Sequence, residues 1–168
     1  MKITRSLPLL LFIFIFASCG KGISPTPAVN PNLATIENAL DSFTKTLIIS
    51  PPSDTDLGGR IHIYLATHPN IFYGSTVTLL DSMGKAFYSP YYFRKNGGIE
   101  STSLMDPSYK IDGQDWLRQP IDLGYPIWTE PYFDAGGGDI WMRTRSVPVY
   151  IDGRIFAVAT TDLQVDKP

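Results

Sequence analysis

The sequence predicts an α+β domain in which two amphipathic helices precede an antiparallel sheet of about five strands. Two observations support this prediction. Apolar residues first recur with the period of a helix, and β-branched and aromatic segments separated by turn residues then follow. With 168 residues, of which 43% are hydrophobic, the chain has the length of one domain and enough apolar surface for a core.

The helical part of the pattern begins at Thr35. Apolar residues then recur every three or four positions, as on one face of a helix, at Ile36, Leu40, Phe43 and Leu47. This helix is expected to end before Pro51. A second helical face is predicted from Leu57, Ile61, Leu65 and His68. It should stop at Pro69, because the residue before a proline is displaced from the helical region.

The pattern changes to strands after residue 71. Residues 72–80 and 85–93 are rich in β-branched and aromatic side chains, and Asp81–Gly84 between them has the composition of a hairpin turn. Residues 95–113 are polar and rich in turn formers, so they are expected to form a loop.

The C-terminal part is predicted to complete the sheet. Residues 114–119 are expected to form one helical turn that ends before Pro120. Three further strands are predicted at residues 127–133, 140–150 and 154–162. Asp152-Gly153 is a hairpin signal between the last two strands. The run Gly136–Gly138 is expected to be a hairpin loop, because no Lys-Ser/Thr pair follows it as in a phosphate-binding loop.

The N-terminus has the features of an export signal. Lys2 and Arg5 precede an apolar run from Leu7 to Phe16, which is about ten residues long, whereas a membrane-spanning helix needs about twenty. The run ends in Phe16-Ala17-Ser18-Cys19, which resembles the lipobox of bacterial lipoproteins. The resemblance implies that Cys19 is lipidated. An ordinary signal peptide followed by an unmodified cysteine is the alternative.

These features predict a lipoprotein signal peptide at residues 1–18, a flexible tether at residues 19–34 and a single domain at residues 35–165. The tether is rich in Pro, Gly and Asn, a composition that buries too little apolar surface to fold. Because Cys19 is the only cysteine, no disulfide is expected. Gly20 follows it instead of aspartate, and the resemblance to lipoproteins then implies anchoring in the outer membrane if the organism has one. The domain is therefore expected in a bacterial cell envelope, facing the periplasm or the exterior.

Three segments of the second half resemble the extracytoplasmic Cache sensor domains, which are PAS-like ligand-binding modules. They are Trp128–Gly138, Met142–Tyr150 and Asp152–Asp162. Pro69–Ser75 and Ser89–Arg94 are similar to the first strands of the same domains. Such domains occur in chemoreceptors, histidine kinases and, with sequences especially similar to this one, membrane-bound phosphatases of the SpoIIE and RsbU kind. The resemblance spans Thr35 to Val165 and implies a PAS-like fold and a sensor function.

The architecture expected from this resemblance is incomplete. Double Cache receptors continue into a proximal unit, a second transmembrane helix and a cytoplasmic output domain, whereas this sequence ends six residues after Asp162. The resemblance therefore implies a distal Cache unit without its own output module, tethered by lipid. Its expected partners are a small-molecule ligand, the membrane and a separate membrane receptor, kinase or phosphatase.

The resemblance also implies a ligand pocket. In amino-acid-binding Cache domains, a Tyr is followed by an Arg, a Trp and a second Tyr, and later by an Asp; the Arg holds the ligand carboxylate and the Asp holds the ammonium. Tyr109, Trp116 and Asp134 fit this pattern, but Gln114 stands at the position of the Arg and Leu117 at that of the second Tyr. A neutral amide lacks the charge and the forked geometry of a guanidinium. Amino acids are therefore not the expected ligands.

An acidic side chain beside aromatic rings suits an amine, through a carboxylate contact and cation–π attraction. The expected ligand is therefore an amine or another small metabolite, such as a neutral one. The candidate ligand-binding residues are Tyr109, Gln114, Trp116, Trp128, Tyr132 and Asp134. Two alternatives are open at this point. Trp128 on a strand also fits a place in the core, and Asp134 also fits a turn in which it accepts N–H groups of Gly136–Gly138.

Other functions are disfavoured by the composition and the motifs. The 14 Lys and Arg against 16 Asp and Glu give no basic surface of the kind that nucleic acids need. His62 and His68 fall on opposite sides of a helix, so they do not suit one metal, and the sequence contains no catalytic or cofactor-binding motif. No enzyme activity, metal or cofactor is expected. Arg143 and Arg145 share one strand face, which is expected to be solvated.

The alternative function is a structural or interaction lipoprotein with a closed pocket that docks a protein partner. An open cavity beside Trp116, Tyr109 and Asp134 would favour the ligand-binding function, and a packed interior with an exposed apolar patch would favour the alternative.

Overall fold

A computed structural model of the protein describes residues 30–168, in which three α-helices pack on one antiparallel sheet of eight strands. Helices α1 (Pro31–Ile49) and α2 (Leu57–Ala66) cover one face of the sheet. Helix α3 (Asp115–Leu123) covers the other face, together with a 3-10 turn at Ile111–Gly113. The predicted α+β class is confirmed. No helix within the described residues combines the length and the hydropathy that a bilayer span requires.

Helix α1 begins at Pro31, four residues before the predicted start at Thr35. The Asn30 side chain accepts a hydrogen bond from the Asn32 backbone N–H at 3.0 Å, and Pro31 occupies the first turn. An Asn cap followed by Pro is a favourable helix start, so the end of the predicted tether is helical. The predicted signal peptide, Cys19 and the rest of the tether lie outside the described residues.

The first hydrophobic core lies between the two N-terminal helices and the sheet. The helices contribute fully buried side chains at the predicted spacing: Ile36, Leu40, Leu47, Leu57, Ile61 and Leu65. The sheet contributes Val77, Leu79, Val147, Val149, Ala157 and Ala159. His68 lies just beyond α2, where its Nδ1 is 2.7 Å from the Tyr64 carbonyl oxygen. The predicted end of the second helix before Pro69 is confirmed.

The eight strands are β1 (Gly74–Leu80), β2 (Ala86–Tyr88), β3 (Pro90–Lys95), β4 (Gly98–Ser103), β5 (Ile127–Trp128), β6 (Tyr132–Phe133), β7 (Trp141–Ile151) and β8 (Arg154–Gln164). They are ordered β4-β3-β1-β8-β7-β5, with β2 paired to β1 and β6 paired to β7. Successive side chains of a strand face opposite sides of a sheet. In β8, Ala157 and Ala159 therefore face α1 and α2, whereas Val158 and Asp162 face α3.

Two predicted strands are each divided by a proline, which raises the strand count. The segment 85–93 divides at Ser89 into β2 and β3, and the segment 127–133 divides around Pro131 into β5 and β6. A proline has no N–H to donate to the ladder, so it occurs at strand ends, at bulges and where its nitrogen faces the open edge of a sheet. The expectation of about five strands is corrected accordingly.

Strand β4 lies in a segment that was predicted to be a loop. Asn96 and Gly97, with φ of 53° and 79°, form the turn that pairs β4 with β3. Asn-Gly is a strong hairpin signal, but the polar composition of the segment masked it. The hairpin predicted at Asp152-Gly153 is confirmed, with φ of 51° and 76°.

The expected end of the third helix before Pro120 is wrong. Helix α3 continues to Leu123 and ends at Gly124, whose N–H donates to the Pro120 carbonyl at 3.0 Å. Pro120 removes one helical N–H, but its ring is buried, and this packing offsets the loss. The second core forms here: Leu104, Tyr109, Ile111, Trp116 and Leu117 pack against Tyr91, Phe93 and Val158.

Replacing Leu47 with alanine should lower the free energy of unfolding by about 2 to 5 kcal/mol, because it leaves a cavity in the first core. Leu47 is 0% exposed, whereas Ile49 in the same helix is 84% exposed. Ile49→Ala is the matched control and should change the free energy of unfolding by less than about 0.5 kcal/mol. Urea denaturation followed by circular dichroism measures both variants. Equal effects would contradict this orientation of α1.

Candidate ligand-binding site

A cavity of about 440 Å³ opens between α3 and the edge strands β5 and β6. We refer to it as the Trp116 cavity. Its lining residues are Gly113, Gln114, Asp115, Trp116, Gln119, Trp128, Thr129, Glu130, Pro131 and Tyr132. Four of the six predicted ligand-binding residues lie in this lining: Gln114, Trp116, Trp128 and Tyr132. Asp115 and Glu130 are exposed acids at the rim.

Tyr109 and Asp134, the other two predicted residues, lie behind the wall of the Trp116 cavity. Trp116 Nε1 donates to the Tyr109 hydroxyl at 3.1 Å, and this hydroxyl donates to Asp134 Oδ1 at 2.7 Å. All three side chains are buried. The structure therefore brings the three residues together, but their polar atoms bond to one another.

Asp134 also holds the glycine loop between β6 and β7. Its Oδ2 accepts the Gly138 N–H at 3.2 Å, and its carbonyl oxygen accepts the N–H groups of Gly137 and Asp139. A Cβ at Gly137 would overlap the Asp134 carboxylate, so the close approach of this backbone requires glycine. Asp134 therefore accepts backbone hydrogen bonds in this turn, as in the alternative interpretation of the sequence, and it also accepts a hydrogen bond from the Tyr109 hydroxyl.

A second buried acid, Asp162 on β8, is connected to the Trp116 cavity in a similar way. The Tyr132 hydroxyl is 2.8 Å from Thr144 Oγ1, and Thr144 donates to Asp162 Oδ1 at 2.8 Å. Since the Thr144 proton is used on Asp162, the Tyr132 hydroxyl donates to Thr144. The Tyr91 hydroxyl donates to Asp162 Oδ2 at 2.9 Å. Hydrogen bonds thus connect Trp116 to Asp134 through Tyr109, and Tyr132 to Asp162 through Thr144.

Asp162 was not among the predicted site residues, although the sequence contained a signal for it. In β8 it shares the α3-facing side with Val158 and Thr160, two positions apart each time. An acid on the buried face of an otherwise apolar strand is rare unless it is paired or functional. The two-residue period of β8 therefore marks Asp162 as a candidate.

The two buried acids lie in an environment of neutral donors. The pKa of Asp162 is raised to about 7: burial is the largest cause, the charge of Asp134 adds to the rise, and hydrogen bonds from Thr144 and Tyr91 oppose it. Burial likewise raises the pKa of Asp134, against hydrogen bonds from Tyr109 and Gly138. Within residues 30–168, no Lys, Arg or His nitrogen lies within 4.0 Å of either carboxylate. Burial without a counter-charge favours the protonated form.

Gln114 and Trp128 are held in place by bonds outside the cavity. The Gln114 side-chain N–H donates to the Tyr109 backbone oxygen at 2.9 Å. Trp128 Nε1 donates to Glu37 Oε1 of α1 at 2.8 Å, and the Arg143 guanidinium lies 5.9 Å from the centre of the Trp128 ring. The sequence allowed Trp128 to be a pocket residue or a core residue, and the structure shows features of both. It lines the Trp116 cavity and packs against the first core.

Arg143 and Arg145 are not on a solvated face, and this expectation is corrected. Their side of β7 is covered by α1, so the Arg145 side chain is only 15% exposed and lies 3.7 Å from the Glu37 carboxylate. Arg143 Nε donates to the Thr129 carbonyl at 3.0 Å. Both cations support the wall of the cavity from its helix side. In the described part of the chain, no group of three or more His, Cys, Asp or Glu residues is placed to hold a metal ion.

Asp162→Asn should stabilise the domain relative to the wild type, increasingly as the pH rises from about 4 to about 8. The pKa of Asp162 is raised in the folded state to about 7 from an ordinary value of 3.8. The folded state therefore keeps a proton that the unfolded chain releases, and this contribution to stability is lost as the pH rises through about 7. The amide has no such loss.

The expected gain at the upper end of this range is up to about 4 kcal/mol. Urea denaturation of both proteins at a series of pH values measures it. A difference between the two that does not change with pH would contradict the shifted pKa of Asp162.

Comparison with known proteins identifies the kind of domain. The sequence profile of the methyl-accepting chemotaxis protein-like, first PDC sensor domain matches residues 60–167. No curated protein sequence matches the chain. Among solved structures, the extracellular domain of soHK1S-Z6, described as a histidine kinase, superposes with a TM-score of 0.68 and 22% identity, over 79% of this chain and 53% of that one.

Two chemoreceptor domains have similar folds. The amino acid chemoreceptor PctC of Pseudomonas aeruginosa PAO1, in complex with GABA, gives a TM-score of 0.55 at 17% identity over 80% of this chain and 57% of that one. Tlp3 of Campylobacter jejuni, in complex with L-valine, gives 0.54 at 18% identity over 80% and 54%. The chain spans about half the length of these structures.

At these identities the likeness establishes the fold, and the profile establishes the family. The resemblance to extracytoplasmic Cache, PAS-like sensor domains that the sequence indicated is confirmed. Because the profile covers well over half of the sequence, the chain belongs to the family of methyl-accepting chemotaxis protein-like first PDC sensor domains.

Proposed function

We propose that this sensor domain works outside the cytoplasm and binds a small organic amine in the Trp116 cavity. The observation that carries the proposal is the combination of an aromatic wall with acids both at the rim and behind it. Trp116 and Tyr132 form the wall, Asp115 lies at the rim, and Asp134 and Asp162 lie behind.

The charge around the cavity favours a cation. Its lining includes Asp115 and Glu130, and none of its lining residues in the described part of the chain is Lys, Arg or His. Behind the wall, Asp134 and Asp162 add negative charge on the α3 side, with no cation within 4.0 Å of either carboxylate among residues 30–168. Arg143 and Arg145 lie on the opposite, helix side of the wall, where Arg145 is paired with Glu37. Opposite charges attract more strongly in a protein interior than in water, so the buried acids contribute whenever they are ionised, although they do not line the cavity.

The aromatic wall offers ring surfaces and few free polar groups. The Trp116 indole N–H and the Tyr132 hydroxyl both donate to groups inside the domain. A cation within about 6 Å of a ring face gains about 0.5 to 2 kcal/mol, depending on its desolvation. Trp128 already has the Arg143 guanidinium near its ring, which leaves for a ligand the half-buried Tyr132 and the small part of Trp116 that is exposed, 3% of its surface.

The site lacks the group that would hold a ligand carboxylate. PctC and Tlp3 are described in complexes with GABA and L-valine, each of which has an ammonium and a carboxylate group. Gln114 bonds to the Tyr109 backbone and has no charge, so it offers no salt bridge to a carboxylate. We therefore infer a preference for amines without a carboxylate group over amino acids.

The proposal predicts the order of affinity butylamine above GABA above butyrate, because these ligands share a four-carbon chain and differ in charge. Thermal shift followed by calorimetric titration measures it. Trp116→Ala should weaken butylamine binding by about 1 to 3 kcal/mol, and Trp116→Phe by less, because it keeps a ring at this position. Tyr125→Ala is the control, since Tyr125 is a 55% exposed aromatic residue that does not line the cavity.

Tighter binding of butyrate than of butylamine would contradict the proposal. If the folded protein bound no ligand, the alternative of an interaction lipoprotein would gain support. The surface to examine would then be the groove of about 460 Å³ between α1 and α2, which is lined by Phe43 and Ile63 among others.

We further propose that the domain is a lipoprotein anchored through Cys19 in the cell envelope, where it passes its ligand state to a separate membrane receptor. Cys19→Ser should abolish incorporation of an alkyne-tagged fatty acid and release the protein from the membrane fraction. Ser18→Ala, which keeps a small residue before the cysteine, should retain both properties. Unchanged labelling of Cys19→Ser would contradict the anchor.

A further inference from the structure

We propose that cation binding in the Trp116 cavity is linked to the ionisation of Asp162, so that the domain responds to its ligand and to the pH of its compartment together. This inference rests on the proposed function, because it concerns the same cavity and the same class of ligand. Three features support it: the surroundings of Asp162, the hydrogen bonds that connect it to the cavity, and the sign of the interaction.

Asp162 has only neutral donors and one other acid around it. Tyr91 of β3 and Thr144 of β7 donate to its two oxygens. The remaining titratable groups that interact with its charge are Tyr64 of α2, Tyr73 before β1, Tyr109, Tyr132 of β6 and Asp134. Within the residues that the structure describes, no base faces it from these elements, so nothing compensates a change in its charge.

Two hydrogen bonds connect Asp162 to the cavity wall. Tyr132 lines the Trp116 cavity and donates to Thr144, which donates to Asp162, each over 2.8 Å. These donors are oriented for an ionised acceptor. When Asp162 takes up a proton, its carboxyl becomes a donor at one oxygen, and either Tyr91 or Thr144 loses its acceptor. Ionisation of Asp162 therefore affects both the charge behind Tyr132 and the orientation of its hydroxyl.

The sign of the interaction follows from charge. A cation against Tyr132 favours ionised Asp162, and by reciprocity a proton on Asp162 weakens the binding of the cation. Burial places the pKa of Asp162 at about 7, so the change occurs near neutral pH. Cation affinity is therefore high above about pH 8 and low below about pH 6, and binding near pH 7 releases protons.

Asp134 differs from Asp162 in a way that makes Asp162 the better candidate. Asp134 accepts the Gly138 backbone N–H in addition to the Tyr109 hydroxyl. A backbone N–H cannot rotate to become an acceptor, so it favours the ionised form of Asp134 and opposes the effect of burial on its pKa. Among residues 30–168, Asp162 accepts only from hydroxyl groups, which can reorient when it takes up a proton.

The test uses tetramethylammonium, because its charge does not change with pH and any pH dependence therefore comes from the protein. Its Kd is measured calorimetrically on the purified protein between about pH 5.5 and about pH 8.5 at constant ionic strength. The wild type should bind about tenfold more weakly at the acid end, which corresponds to a ligand-induced pKa shift of about one unit. Asp162→Asn should bind weakly with a Kd that does not change with pH.

Asp122→Asn is the matched control, since Asp122 is an exposed acid of α3 paired with Arg118. It should follow the wild type at every pH. In case Asp162→Asn does not fold, ¹³C NMR of the wild-type aspartate carboxyl groups gives a second measurement. One buried carboxyl should titrate near about pH 7 in the ligand-free protein and at a lower pH with tetramethylammonium.

The outcomes separate this inference from the proposed function. Binding with a pH-independent Kd would overturn the linkage and leave the amine site intact. A pH dependence that persists in Asp162→Asn would overturn the assignment to Asp162. Absence of binding at every pH would overturn the cation site and the linkage with it.

Discussion

A carboxylate in a protein interior costs several kcal/mol unless hydrogen bonds or a counter-charge replace its lost hydration. Asp162 receives two hydroxyl hydrogen bonds, from Tyr91 and Thr144, and lies beside Gly74 in the neighbouring strand. A Cβ at Gly74 would lie 2.7 Å from the carboxylate and overlap the Tyr91 hydroxyl, so this position requires glycine. The strand order β3-β1-β8-β7 brings these residues together, and the buried acid therefore depends on the topology of the whole sheet.

The two faces of the sheet differ in polarity: the face under α1 and α2 is mostly apolar, and the face under α3 carries more hydroxyl groups. Against α1 and α2 the interior is mostly apolar, with the 2.9 Å bond between Tyr64 and Thr161 as one exception. The largely buried Arg145 is another, and its Nε has no hydrogen-bond partner within residues 30–168. Toward α3 the same strands present hydroxyl groups, such as Thr76, Thr144 and Ser146, and Ser146 Oγ has no hydrogen-bond partner in the described part of the chain. Burial of an apolar face stabilises the fold. An interior that contains hydrogen-bonding groups is better suited to bind a polar ligand. The candidate site accordingly lies on the α3 side.

The regular elements of this fold could be predicted from the sequence. Features that depend on an exception to a local rule, or on contacts between residues far apart in sequence, could not. Apolar spacing located α1 and α2, and the long strands β7 and β8 followed from their composition and the Asp152-Gly153 turn. Helix α3 passes through Pro120 because tertiary packing overrides a local preference. The aromatic wall could be anticipated, but Asp162 could not be grouped with Asp134, since their 28-residue separation in sequence is closed only by strand pairing.

The selectivity proposed for the Trp116 cavity follows from how its hydrogen bonds are used. Trp116 and Tyr132 both direct their polar atoms to partners inside the domain, where they support Asp134 and Asp162. A ligand that took these polar atoms for itself would leave a buried group unsatisfied, at a cost of about 1 to 3 kcal/mol. A cation needs no such exchange, because it interacts with the ring faces and with the negative charge behind them. Under the proposed function, the site would therefore discriminate by charge, and its discrimination would depend on whether the buried acids are ionised.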